Sequence, residues 1–244
     1  MLKKSTFREI KNSLGRYLAI LAIVALGVGF FAGLKVTQEA MVTTTGNYLD
    51  AQNFFDYRVL STLGLEEEDV ETLASVEGVK AAEGSVSIDA LVHLKGADND
   101  SVMMFHSMPG DMNRLILKEG RMPSKAGEVV VDHSLMDASD IGTVLVISSM
   151  NDKDRRDMFA RNEYEVVGTV VSPLYLNFER GTTSLGNGTV SGFAYMTAAD
   201  FDTDYFTEVY LDLDAPGMIY SDEYESAITA AENRLKAAAK DCGD

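Results

Sequence analysis

Eighteen consecutive residues without a charge, Tyr17 to Leu34 (YLAILAIVALGVGFFAGL), constrain this chain more than any other feature. As a helix rising about 1.5 Å per residue they reach roughly 27 Å, close to the ~30 Å hydrocarbon core of a bilayer. A helix is the form expected there, because lipid offers no partners for free backbone groups. Lys3, Lys4, Arg8, Lys11 and Arg16 stand on the N-terminal side, against Glu9 alone. The bias predicts a cytosolic N-terminus and an outward-facing bulk. A cleaved signal peptide shares the basic flank and the apolar run. The run is longer than the usual signal core, however, and no A-x-A pattern follows it. A buried soluble helix is the third reading, and such helices seldom lack charge over five turns.

Ala25, Gly29 and Gly33 recur every four residues, a row that lets another helix approach closely. The plain alternative is that glycine is simply frequent in membrane helices. If the row is a contact face, it predicts further membrane helices or a second copy of the chain as partners. Residues 2–14 place Phe7, Ile10 and Leu14 at helical spacing among cations, as in a basic helix lying on the inner leaflet. A basic flank that only sets topology reads the same way.

The whole chain carries a formal charge of −17 over 244 residues; the first sixteen are +4, which leaves −21 for the rest. Such a surface excludes nucleic acid as a partner, since phosphates must be met by Lys and Arg. A lone Cys242 forms neither an intrachain disulfide nor a cysteine zinc site.

The organisation expected is a cytosolic segment (1–16), a membrane helix (17–35), a stalk (36–56), an outer domain (57–220) and the start of a helical segment (221–244). Within the outer domain Tyr57 to Leu60 reads as a strand. Leu65 to Val76 reads as a helix with acid in its first turn, Glu66 to Asp69, and Gly78 ends it. One strand pattern then runs from Val79 to Leu94, completing a β-α-β unit. Further strands are expected at Val102–Phe105, Glu128–Val131, Val144–Ser148, Tyr164–Val171, Phe193–Met196 and Glu208–Leu213. GTTSLGNG (181–188) reads as a hairpin connection. Residues 222–240 return to helix, with Tyr224, Ile228, Ala231 and Leu235 at helical spacing and no packing partner visible after it. The fold class is α+β.

Catalytic signatures are missing. There is no G-x-x-x-x-G-K-[ST], no H-E-x-x-H and no G-x-S-x-G. His93, His106 and His133 stand apart, Asp98 and Asp100 read as turn residues, and no metal or cofactor is predicted. A hydrolase would require a nucleophile and a base brought together in a cleft by the fold.

Several segments together resemble FtsX-like ABC transporter permeases, in particular long ones of Gram-positive anaerobes. FREIKNSLGRYLAILAIVALGVGFFAGL is similar to their first membrane helix. DYRVLSTLGLEEEDVETLASVEGVKAAEG and LILKEGRMPSKAGEVVVD, with Glu119-Gly120-Arg121, Pro123 and Gly127-Glu128-Val129, resemble the MacB-type extracytoplasmic core domain. IGTVLVI and YEVVGTVVSPLYL, with Gly142, Val167-Gly168 and Ser172-Pro173, resemble its later strands. The resemblance implies a porter-like part of β-α-β units with a β-rich part inserted. It further implies a cytosolic ABC ATPase partner, a location in the bacterial cell membrane, and export of lipid, lipoprotein or peptide or envelope signalling. It implies no catalytic residues. It also implies further membrane helices, so the chain reads as the N-terminal portion of a longer permease. The rival reading is a self-sufficient single-pass anchor carrying a binding or sensing module.

Overall fold

The structure, a computed structural model, describes residues 14–217 and 219–241. It divides into two units, Met1–Tyr48 and Leu49–Asp244. One helix, α1 (Leu14–Ala51, 38 residues), runs unbroken from the apolar run into the polar stretch. Every residue from Leu14 to Met41 is exposed, so the apolar side chains of that stretch are not packed on protein among the described residues. Among the described residues it is the one helix long and apolar enough to cross a membrane. Its end is sharply made. Asn53 adopts a left-handed φ of +49°, the Phe54 N–H donates to the Leu49 carbonyl at 3.0 Å and the Asn53 N–H to Asp50 at 3.1 Å. This double closure satisfies carbonyls the helix would otherwise leave bare.

The second unit holds two separate sheets. The smaller joins β1 (Tyr57–Leu65), β10 (Phe206–Leu213) and β2 (Val79–Ser85) in that order, with β10 antiparallel to both neighbours. Between β1 and β2 lies α2 (Glu67–Ala74), and after β10 comes α4 (Asp222–Asp241). The expected β-α-β unit is therefore split: its two parallel strands are parted by a strand from much later in the chain. The acidic run caps α2, where the Glu66 N–H donates to Asp69 Oδ2 at 2.7 Å and the carboxylates face the positive end of the helix dipole. Leu73 and Leu235, both 0% exposed, come from the two helices and meet Val209 and Leu211 of β10 in one core. The final helix thus has a partner in the three-stranded sheet, a contact that helical spacing alone does not show.

The larger sheet is inserted between β2 and β10. It comprises β3 (Ser87–Leu94), β4 (Ser101–Ser107), β5 (Ile116–Gly120), β6 (Glu128–Asp132), β7 (Val144–Ile147), β8 (Glu163–Val171) and β9 (Gly192–Met196). Its order is β5-β8-β6-β9-β4-β3-β7, and β7 also pairs with β8. The extra pairing closes six strands into a ring, with β5 added on the outside of the seam. Alternation fills the ring: Ile88, Ala90 and Val92 of β3, Met103 and Phe105 of β4, and Val129 and Val131 of β6 all point into one core. A short helix, α3 (Lys153–Asp157), precedes β8.

Two expectations need correction. Val79–Leu94 is not one strand: it breaks at Val86, and its halves belong to different sheets. Alternation marks only the second half; the first (VKAAEGS) shows none, and the two join different sheets. The helix expected from Leu65 to Val76 is shorter, because Leu65 ends β1 in register with Phe206. Strand β5 (ILKEG), with Lys118, Glu119 and Gly120 after only two apolar residues, lacks the apolar run that marks the other strands.

The EGR–GEV stretch is packed more tightly than a plain turn. Arg121 donates both terminal nitrogens to Glu128, whose Oε2 also accepts from the Ser124 N–H at 2.9 Å. These donors, Arg121 first and the Ser124 N–H next, hold the Glu128 carboxyl well below its usual range. Gly120 and Gly168 face each other across β5 and β8.

Candidate functional site

A cleft of about 730 Å³ opens where the two sheets meet. Its walls come from β1 and β10 on the small sheet, from β3, β4 and α3 on the large one, and from the segment after β8. Leu60, Ile88, Met104, Met158 and Leu174 make much of it apolar, and Arg58, Asp89, Asp154, Arg155 and Glu208 place charge around them. Arg155 is held by Asp89 at 3.2 Å and Asp152 at 2.8 Å.

A continuous chain of hydrogen bonds forms the floor. Tyr175 OH lies 2.6 Å from His106 Nε2, and His106 Nδ1 lies 2.6 Å from Ser87 Oγ. Ser87 Oγ donates to Glu208 Oε1, which also accepts from Tyr210 OH at 2.7 Å. The direction follows from valence. A carboxylate only accepts, so the single Ser87 proton goes to Glu208. Ser87 must then accept from His106 Nδ1–H, and Nε2 accepts from Tyr175. His106 is 5% exposed and its ring lies on Tyr195, with centroids 4.9 Å apart. Burial, and then the Arg58 guanidinium, push the imidazole down to about 3. It is neutral at ordinary pH, so its 3.9 Å approach to Glu208 is not an ion pair.

A serine and a histidine in contact within a cleft are what a hydrolase would need, but the polarity here is reversed. In nucleophilic catalysis the imidazole lone pair takes the hydroxyl proton. Here the imidazole donates to the hydroxyl, and its lone pair is already covered by Tyr175. The Glu208 carboxylate that receives the Ser87 proton is bonded to Tyr210 and lies 3.5 Å from Arg58.

Beside the chain, Arg180 grips the buried Asp132 from Nε at 2.6 Å and from Nη2 at 3.1 Å. Its guanidinium also covers the Phe193 ring at 5.6 Å, and Phe193 stacks on Tyr175 with centroids 4.4 Å apart.

The residues singled out in the sequence lie elsewhere. Ala25, Gly29 and Gly33 form one exposed row on α1, and an added Cβ at either glycine would meet nothing within 4 Å. Arg16 begins the same helix; Lys3, Lys4, Arg8, Lys11 and Cys242 lie outside the described residues. Asp100 accepts from Ser148 Oγ and lies 2.9 Å from His93, and His133 lies 3.2 Å from Thr169 Oγ1. No group of three or more His, Cys, Asp and Glu among the described residues could hold a metal ion. The loop 181–188 makes a bridge between Thr182 and Thr189, and Thr183 donates to Asp89 at the cleft. Ser87, His106, Tyr175 and Glu208 escape sequence reasoning because contacts between residues up to 121 apart join them.

No protein-family model matches the sequence, and no curated protein matches it. Among solved structures the chain is similar to the extracellular domain of the noncanonic ABC-type transporter YknZ from Gram-positive bacteria. Identity is 14% and the TM-score 0.40, over 68% of this chain and 80% of that one. It is also similar to the periplasmic region of MacB from Actinobacillus actinomycetemcomitans. There identity is 13% and the TM-score 0.38, over 73% of this chain and 76% of that one.

Proposed function

We propose that this chain is the first membrane span and the extracytoplasmic domain of an FtsX-like ABC permease. Its role is to couple a cytosolic ATPase to events outside the membrane. The observation that carries the reading is α1: one unbroken 38-residue helix whose uncharged stretch is exposed throughout among the described residues. Lipid and neighbouring helices are the surroundings that suit such a surface. The quoted EGR–GEV and later-strand segments support the family. The exported material is lipid, lipoprotein or peptide, or the domain signals in the envelope without transport. The apolar cleft favours a second reading, an anchored module that binds a ligand by itself.

Protease added to intact cells tests the topology. A tag at Met1 is expected to stay protected, while the bulk beyond Leu34 is digested and the anchor resists carbonate extraction. An untouched bulk, or a mature product beginning beyond Leu34, overturns the proposal.

The row on α1 has its own test. Gly29→Leu or Gly33→Leu fills the close-approach surface with a branched side chain. Crosslinking of α1 to neighbouring membrane helices is expected to fall roughly ten-fold, the effect of losing about 1–2 kcal/mol of packing. Unchanged crosslinking in both variants removes the row from the interface.

A further inference from the structure

We propose that the Tyr175–His106–Ser87–Glu208 chain is a latch between the two sheets, and that acidification of the medium releases it and opens the cleft.

The chain crosses between the sheets at only two places, Val86 and the segment between β9 and β10. Around the first crossing the Ser87 N–H donates to Thr207 Oγ1 at 2.7 Å and the Val86 N–H to Ser107 Oγ at 3.1 Å. The side-chain relay lies directly beside these bonds, because Ser87 belongs to both. Glu208 belongs to the small sheet, His106 and Ser87 to the large one, so separating the sheets at the cleft breaks the relay at the Ser87–Glu208 bond. That separation lets water reach a ring now 5% exposed.

The groups facing the ring do not oppose this direction. Glu208 of β10 attracts a proton to His106, but Arg58 of β1 stands 3.5 Å from that carboxylate and repels one. From the segment after β8, Arg180 adds positive charge, matched by its partner Asp132 of β6. On the cleft wall Asp89 of β3 and Asp152, the N-cap of α3, are matched by Arg155; Asp154 lines the mouth. Tyr175, Tyr195 and Tyr210 are all held protonated, their phenols pushed up by burial first. Burial therefore decides, and it favours the neutral ring.

The sign then follows. The imidazole sits near 3 in the closed form and returns to its ordinary 6.5 once solvated. The closed form keeps its full advantage above about pH 6.5 and loses it as pH falls toward 3. At pH 5 the open-to-closed ratio is expected to be about thirty-fold higher than at pH 7.5.

Amide hydrogen exchange on the full chain in lipid nanodiscs reads this ratio even when the open form is rare. After correction for the intrinsic pH dependence, protection at Ser87, whose N–H bonds across to Thr207 of β10, is expected to fall about thirty-fold between pH 7.5 and pH 5. Protection at Val130, in the core of the large sheet, should hold, which separates opening from unfolding. In His106→Gln the acid response should vanish, because the amide bonds on both sides without taking up a proton. Flat protection in the parent chain, or an equal fall in the variant, overturns the latch. If the variant does not fold, the pH profile of Ser87 exchange in the parent chain decides: opening that rises as pH falls through about 6.5 supports the imidazole, and opening that rises only below about pH 5, where carboxylates take up protons, rules the mechanism out.

Discussion

Gly168→Ala is expected to lower the stability of the second unit by about 3 kcal/mol, the cost of forcing volume into a packed site. At this size that is a fall of roughly 10 °C in Tm. A Cβ on Gly168 would lie 2.6 Å from the Arg121 carbonyl oxygen and 2.7 Å from that of Glu119. Both obstacles are backbone, so no rotamer relieves them; β5 must lift from β8. Lifting β5 also disturbs the Arg121–Glu128 pair just beyond it. Gly142→Ala is the control. Its φ of +93° disfavours a side chain, yet nothing lies within 4 Å of the added atom, and about 1 kcal/mol is expected from the backbone alone. Thermal unfolding of the full chain in detergent, followed by circular dichroism, compares the two. Equal melting temperatures for both variants would mean that the approach of β5 to β8 is not tight.

Arg180→Leu is expected to cost about as much by a different route. Its partner Asp132 has a side chain only 3% exposed, and Arg180 itself only 9%. Removing the guanidinium leaves a buried carboxylate with the Ser134 N–H at 2.9 Å as its remaining bond. Breaking a buried pair by removing one partner costs about 3–5 kcal/mol, again roughly 10 °C in Tm. The charge, not the lost contact with Phe193, carries most of that. Asp132→Asn combined with Arg180→Leu should therefore recover much of the loss. A double variant no more stable than Arg180→Leu would assign the effect to packing against the aromatic pair instead.

These two sites were unequally readable from the primary structure. Gly120, Gly168, Arg121 and Glu128 all stand in segments whose residue types already attract notice. What remained hidden was that two of them are glycines because two backbones nearly touch. Arg180 and Asp132 are separated by 48 residues, and no local pattern pairs them. The strands themselves, β5 apart, are plain as β-branched or aromatic runs, from Val102 to Leu213. Their division into two sheets is not, since Val79–Ser85 and Ser87–Leu94 are parted by the single residue Val86 and are assigned to different sheets by their partners. The polar strand β5 and the docking of Leu235 on the small sheet depend likewise on neighbours supplied by distant parts of the chain. His106 shows the limit most clearly. It lies next to Phe105 in an apolar strand, and its character comes from Tyr175, Ser87 and Glu208, three residues scattered over 121 positions.

The meeting of Ser87 with Thr207 has an architectural consequence. The β-rich lobe leaves and rejoins the small sheet at nearly one point, like a bead tied on by a single knot. Its size and contents can therefore vary widely while the strands and helices on which it is mounted keep their places.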